Sequence, residues 1–185
     1  HSVLANEQVE GGNCWRHTET PVQQKDMSQW FLKITHYAEE LLSDLDTLKG
    51  WPERVRVMQQ NWIGKSQGAE LHFTVESKPN VQIKVFTTRP DTVYGVSYLV
   101  LAPENPLVQE LVSEDCRAKV EAYVQETQRK TELDRQAGEK VKTGVALGAS
   151  VINPFNGDIV PIYVSDYVLM SYGTGAVMGV PAHDE

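Results

Sequence analysis

Val81-Gln82-Ile83-Lys84-Val85-Phe86-Thr87-Thr88-Arg89-Pro90-Asp91-Thr92 is the stretch on which the reading of the fold turns. Val81, Ile83 and Val85 alternate with polar neighbours, the period of a strand with one buried face. Pro90 then fixes φ and removes a backbone donor, so the ladder stops at a knot of hydroxyls and charge. Just upstream Leu71, Phe73 and Val75 alternate in the same way, and Ser77-Lys78-Pro79-Asn80 reads as the turn between the two strands. A hairpin therefore delivers a polar run to the end of a sheet. Taken alone, such a run is more simply a decorated turn with locally satisfied hydroxyls than the rim of a site.

A second run changes that balance: Tyr172-Gly173-Thr174-Gly175-Ala176-Val177-Met178-Gly179-Val180-Pro181-Ala182-His183-Asp184. Its glycines mark a backbone that must turn sharply or approach a ligand closely, and a His-Asp pair follows the proline. Read together, the two runs are two walls of one pocket. Between them, 96–101 reads as a buried strand. Leu107, Leu111, Val120 and Val124 recur near helical spacing and break around Ser113-Glu114-Asp115, which predicts two helices with Cys116 as an ordinary helix residue. A second hairpin is predicted from 151–154 and 159–164 around the turn Asn156-Gly157, and 167–170 leads into the glycine-rich run. Strands that alternate with helices yet pair through hairpins predict a mixed α/β domain. Its sheet is largely antiparallel and barrel-like, with flanking helices.

Upstream of this domain the character changes. Lys65-Ser66-Gln67-Gly68 is linker-like, so the domain is predicted over 65–185. Over 28–48 Ile34, Ala38, Leu41, Leu42, Leu45 and Leu48 fall at helical spacing, Gly50 is the stop, and Pro52 opens a second helix. This makes 29–64 a helical segment, with Trp30, Trp51 and Trp62 as core or interface aromatics. Residues 1–28 are polar, carry Gly11-Gly12 and Pro21, and read as a loop-rich appendage. Within it Cys14-Trp15-Arg16-His17 is a Cys-x-x-His half-site, two donors that one tetrahedral zinc can share. A free thiol beside a surface His is the other reading.

The 185 residues hold one sizeable core plus an appendage, with an ordinary 41% hydrophobic content. No apolar run approaches the ~20 residues that span a bilayer, and His1-Ser2-Val3 is no signal peptide, so no membrane partner is expected. Two distant cysteines predict no disulfide framework, which fits a cytoplasmic setting. The absence of an initiator Met predicts a segment of a larger protein. The net charge of -8 argues against a freestanding nucleic-acid binder, since phosphate affinity comes from clustered Lys and Arg. Arg129, Lys130, Lys140 and Lys142 offer a few basic contacts or a solvated face. There is no Gly-x-Ser-x-Gly elbow, phosphate loop or complete His/Cys metal set.

The runs from Thr87 to Thr92 and from Gly173 to Glu185 closely resemble the two signature segments of the leucyl-tRNA synthetase editing domain. In the isoleucyl and valyl enzymes the second segment carries a His before Ala-Pro and a Gly after the next His. Here Met178 and His183-Asp184 stand at those places. The resemblance continues through 3–9, 30–34 and 61–64 and covers essentially the whole chain. It implies the editing-domain fold, preceded by helices of the synthetase body and by the remnant of a zinc module, which usually has Cys-x-x-Cys where Cys14 and His17 stand. It further implies hydrolysis of the ester between a wrongly charged amino acid and the 3' end of tRNA(Leu) by a positioned water, without a cofactor. The remainder of the synthetase is the implied partner. ATP and Mg would serve its ligase domain, whose signatures are absent from this chain, and zinc would belong to its module.

The resemblance also implies residue roles. One methylene is worth only about 1–3 kcal/mol of binding discrimination, so a second sieve must exclude the cognate leucine. Thr92 would do so by colliding with its branched end; the alternative is a Thr that satisfies a strand-end backbone group. Thr87 and Thr88 would serve the ester, the ribose or the attacking water. Tyr172, Gly173, Thr174 and Gly175 would form the substrate wall, with amides that support developing carbonyl charge. Met178 and Val180 would line the side-chain pocket. Arg89 and Asp91 either pair with each other or contact substrate. His183 and Asp184 hold the water or the substrate ammonium, or only brace a loop. The family pattern continues past Glu185 with Arg and a second Asp that anchors the α-ammonium, so the hydrolytic constellation is expected to be incomplete here. Three other readings stay open: the editing domain of a sibling synthetase, a freestanding deacylase, and a non-catalytic RNA-positioning module.

Overall fold

The computed structural model describes residues 3–23, 28, 30–128, 130, 135, 142–171 and 173–183. Tyr172 and Asp184, and the basic Arg129 and Lys140, lie outside the described residues. The chain divides into two compact units, His1–Gln24 with Gly68–Glu185, and Lys25–Gln67.

In the first unit β1 (Val9–Glu10), β2 (Asn13–Cys14) and β3 (His17–Pro21) form a small antiparallel meander, with Cys14 opposite His17. The main sheet has six strands: β4 (Ala69–Val75), β5 (Lys78–Thr87), β6 (Tyr98–Leu101), β7 (Val145–Ile152), β8 (Ile159–Val164) and β9 (Ala176–Gly179). Their order is β5-β4-β7-β8-β6-β9, and every neighbouring pair is antiparallel except β6 with β8. The two edge strands β5 and β9 come back together, which curls the sheet into a half-barrel.

The alternation read from the sequence is what the core uses. Leu71, Phe73 and Val75 of β4 face the same side as Ile83 and Val85 of β5, and all five are buried. Burying each side chain of this size contributes about 2 kcal/mol, and a one-residue slip would turn the whole set to solvent. α3 (Pro106–Leu111) adds Val108 and Leu111 to this core, and α4 (Glu114–Thr127) adds Val120 and Val124. Cys116 packs against it from α4.

Three expectations need correction. The first hairpin turns at 76–77, not at 77–80, because Lys78 and Pro79 already belong to β5 and a register shift between Thr74 and Val75 absorbs the difference. Pro79 is tolerated because β5 is an edge strand. The second hairpin starts at Val145 rather than 151. Its first half is small-residue sequence with little alternation, and Gly148, at φ 76°, sits where the register with β8 shifts. A Cβ on Gly148 would fall 2.0 Å from Ser113 Oγ, so a glycine lets the start of α4 rest on the strand.

In the second unit the expected continuous helix over 28–48 is broken. Residues 30–33 are not helical, Ile34–Tyr37 is a 3-10 turn, α1 covers Ala38–Asp44, and a second 3-10 turn covers Leu45–Thr47. Lys33 supplies no side-chain cap, and β-branched Ile34 and Thr35 weaken the first turn. α2 (Glu53–Ile63) follows Pro52 and ends at left-handed Gly64, whose N–H donates to the Gln60 carbonyl at 3.0 Å. None of these helices has a buried residue. Trp30 and Trp62 are 102% and 88% exposed and Trp51 is 47% exposed, which removes all three from the core of this chain. Among the described residues no helix is long and apolar enough to cross a membrane.

Candidate active site

The strand β5 hands its polar run to a 3-10 turn, Pro90–Gly95, with proline at the first helical position. Local hydroxyls shape the entry. Thr87 Oγ1 accepts the Arg89 N–H at 3.0 Å, and Thr92 Oγ1 donates to the Arg89 carbonyl at 2.9 Å. Arg89 and Asp91 pair with each other through two bonds, Nε to Oδ1 at 3.0 Å and Nη2 to Oδ2 at 2.8 Å. That pairing holds the Asp91 carboxyl below the usual carboxylate range and raises Arg89. Thr88 is exposed, and among the described residues its hydroxyl has no partner.

The glycine-rich run is folded back against this turn. Gly173 and Gly175 have φ of 61° and 67°, and a Cβ on Gly175 would fall 2.2 Å from Met170 Sδ. Thr174 Oγ1 donates to the Lys84 carbonyl at 2.5 Å, joining the run to β5 just before the threonine pair. Val180, buried at the end of β9, has Cγ1 3.2 Å from where a Cβ on Gly95 would stand. Met178 is half-buried, opposite Leu99 of β6, and packs against the core. The His183 N–H donates to the Val180 carbonyl at 2.8 Å, and the charge of His183 is a minor cause of the lowered Asp91 pKa. The structure thus brings together Thr87, Thr88, Arg89, Asp91 and Thr92 with Gly173, Thr174, Gly175, Val180 and His183.

Cys14 and His17 belong to a different feature. Cys14 Sγ lies 3.6 Å from His17 Nδ1 on the meander, and this contact, helped by the Arg16 and His17 backbone, holds the thiol below its ordinary range. Two such donors can share one ion, but a tetrahedral zinc needs four ligands. The described residues contain no group of three or more His, Cys, Asp or Glu that could hold a metal, so they do not complete a zinc site.

Two buried asparagines that the sequence reading passed over hold the walls. Asn105 caps α3 by accepting the Leu107 N–H at 3.0 Å and donates to the Gly175 carbonyl at 3.2 Å. Asn153 donates to the Val93 carbonyl at 2.8 Å, inside the 3-10 turn. Both precede a proline, a turn signal in sequence, but nothing local marks a partner 60 or 70 residues away.

Residues 60–185 match the family described as leucyl-tRNA synthetase, editing domain. Along the whole chain, the leucine-tRNA ligase of a Synechococcus species is 57% identical over 185 residues, and that of a Nostoc species is 58% identical over 184. The chain spans 21% of the length of each. Among solved structures, the LeuRS-tRNA-LeuAMS ternary complex of Agrobacterium radiobacter superposes with a TM-score of 0.75 at 43% identity, over 97% of this chain and 22% of that one. The chain belongs to the leucyl-tRNA synthetase editing-domain family. This rules out the reading as an isoleucyl or valyl sibling.

Proposed function

We propose that this segment carries the post-transfer editing site of a leucine-tRNA ligase. It hydrolyses the ester between a non-cognate amino acid and the terminal adenosine of tRNA(Leu). The observation that supports the reading is the Thr174 to Lys84 hydrogen bond, which staples the glycine-rich run to β5 just before Thr87 and the exposed Thr88. An activated ester needs a positioned water more than a strong nucleophile. Thr88 orients the water or the terminal ribose, while the amides near Gly173 to Gly175 stabilise the negative charge that develops on the carbonyl oxygen. Thr92 sets the size limit against leucine, with Met178 and Val180 along the side-chain path. His183 and Asp184 hold the water or the ammonium group, and Thr87 and the Arg89-Asp91 pair keep the entry in shape.

The domain assignment proposed with it is a zinc-module remnant over 1–28, body helices over 29–64 and the editing domain over 65–185. The family match from residue 60 and the unit boundary at Gln67 support the last of these. Editing itself uses no cofactor. ATP and Mg belong to the ligase chemistry of the parent, zinc to its module, and tRNA(Leu) and the rest of the synthetase are the partners, in the cytoplasm. The test is deacylation of norvalyl- and leucyl-tRNA(Leu) by a full-length ligase carrying this segment. Fast hydrolysis of the first and little of the second is expected. No hydrolysis of either would favour an RNA-positioning module.

A further inference from the structure

We infer that Asn153 is a specificity-positioning residue: from the core it fixes the 3-10 turn Pro90–Gly95, and thereby Thr92, at the distance from the glycine-rich run at which a branched side chain is excluded. The inference rests on the editing function proposed above.

Asn153 has no exposed surface, and both ends of its side chain are committed. Nδ2 donates to the Val93 carbonyl at 2.8 Å and Oδ1 accepts the Phe155 N–H at 3.1 Å. A carbonyl can only accept and an N–H can only donate, so this amide has one allowed orientation. The backbone is held as well: the Asn153 N–H donates to the Asp158 carbonyl at 2.8 Å, and its carbonyl accepts the Gly157 N–H at 2.9 Å. The β7 to β8 turn is therefore a rigid base.

Thr92, in contrast, makes only local bonds among the described residues. Its N–H and its hydroxyl both go to the Arg89 carbonyl, at 3.2 and 2.9 Å. These bonds fix its rotamer within the turn and say nothing of where the turn sits. The anchors to the rest of the domain are at the next residue, where Val93 is buried in the core and its carbonyl meets Asn153. From the other side the Tyr94 ring meets Phe155 edge-on, with centroids 5.9 Å apart, so the same β7 to β8 turn grips the 3-10 turn twice. A sieve that works by collision depends steeply on distance, so a small retreat of the turn opens it to leucine.

The experiment compares deacylation of norvalyl- and leucyl-tRNA(Leu) by a full-length ligase carrying this segment, unmutated and with Asn153→Asp, Thr92→Ala and both. Ionised Asp keeps the acceptor for Phe155 and replaces the donor to Val93 with a buried charge that repels that carbonyl. We expect Asn153→Asp to lower the norvalyl-to-leucyl rate ratio about tenfold, with leucine aminoacylation unchanged. The double variant should fall no further than Thr92→Ala alone, because both changes act through one side chain. An unchanged ratio in Asn153→Asp while Thr92→Ala collapses it overturns the inference and leaves the editing function standing. An additive fall in the double variant also overturns it. Absence of norvalyl hydrolysis in the unmutated enzyme overturns both. Should Asn153→Asp lose its cooperative melt, Asn153→Ser decides by the same ratios, since serine still accepts within the turn and ends short of Val93.

Discussion

At the scale of the residue, the proposed sieve role of Thr92 is compatible with the backbone-satisfying role that looked exclusive of it. Its hydroxyl does satisfy a backbone carbonyl, that of Arg89 at 2.9 Å. The same bond locks χ1 of a β-branched side chain, and a steric sieve requires a locked side chain. The two roles separate by substitution. Thr92→Ala removes the methyl and should let the full-length ligase hydrolyse leucyl-tRNA(Leu) about tenfold faster or more, given what one methyl-sized group is worth. Thr92→Val keeps the shape and loses the bond, so it should still exclude leucine. If Ala and Val behave alike in that deacylation assay, the threonine is a backbone brace and no sieve. Thr88 differs from its neighbours in being exposed with a free hydroxyl among the described residues, whereas Thr87 and Thr174 are committed to Arg89 and Lys84.

At the scale of the element, the segment between β8 and the glycine-rich run is tied down by a polar latch. Lys130 Nζ reaches Asp166 Oδ2 at 2.8 Å, the Asp166 N–H donates to Tyr123 Oη at 3.1 Å, and Arg135 donates to the Asp166 and Val168 carbonyls at 2.7 Å each. Burial is the largest single influence on the Asp166 carboxyl and pushes it up, but the Lys130 bond and charge, the Tyr123 hydroxyl and the Arg135 charge together outweigh it and hold the group below the usual range, while Asp166 raises Lys130. A depressed carboxyl stabilises the fold above its unfolded pKa of about 3.9 and loses that contribution as pH falls through its lower folded value. A raised lysine stabilises below about 10.4 and loses it above. Asp166→Asn should therefore lower the melting temperature at pH 7 by about 2–4 °C, equivalent to ~1 kcal/mol, and by almost nothing near pH 2. Thermal melts by circular dichroism across pH check this, and an equal loss at both pH values would show that the amide disrupts packing instead.

At the scale of the whole molecule, the net charge of -8 bears on how this segment would meet the tRNA proposed as its substrate. Phosphate affinity grows with the number of Lys and Arg contacts, and an acidic chain supplies few. The isolated 185 residues should bind tRNA(Leu) with a dissociation constant weaker than about 1 µM at physiological salt, as read by an anisotropy titration. Submicromolar binding would reveal a basic face that the composition conceals. The exposed Trp30, Trp51 and Trp62 of the second unit fit a segment that meets further protein.

The strand period of β4 and β5, the stop at Pro90, the two helices after residue 103 and the glycine turns at Gly173 and Gly175 were all legible from the amino-acid sequence, because each follows from local sterics or from one-sided burial. The early start of β7 was not, since a bulge at Gly148 breaks the alternation that would have announced it. The site divides along the same line. Residue types at both rims could be read from the chain, as could their likeness to a known pair of segments. Their partners could not: Thr174 finding Lys84, Asn105 finding Gly175, Asn153 finding Val93 and the parallel pairing of β6 with β8 are distances set by the register of the whole sheet. A hydroxyl or amide in a sequence states what it can bond, and only the packed fold decides which carbonyl lies 3 Å away.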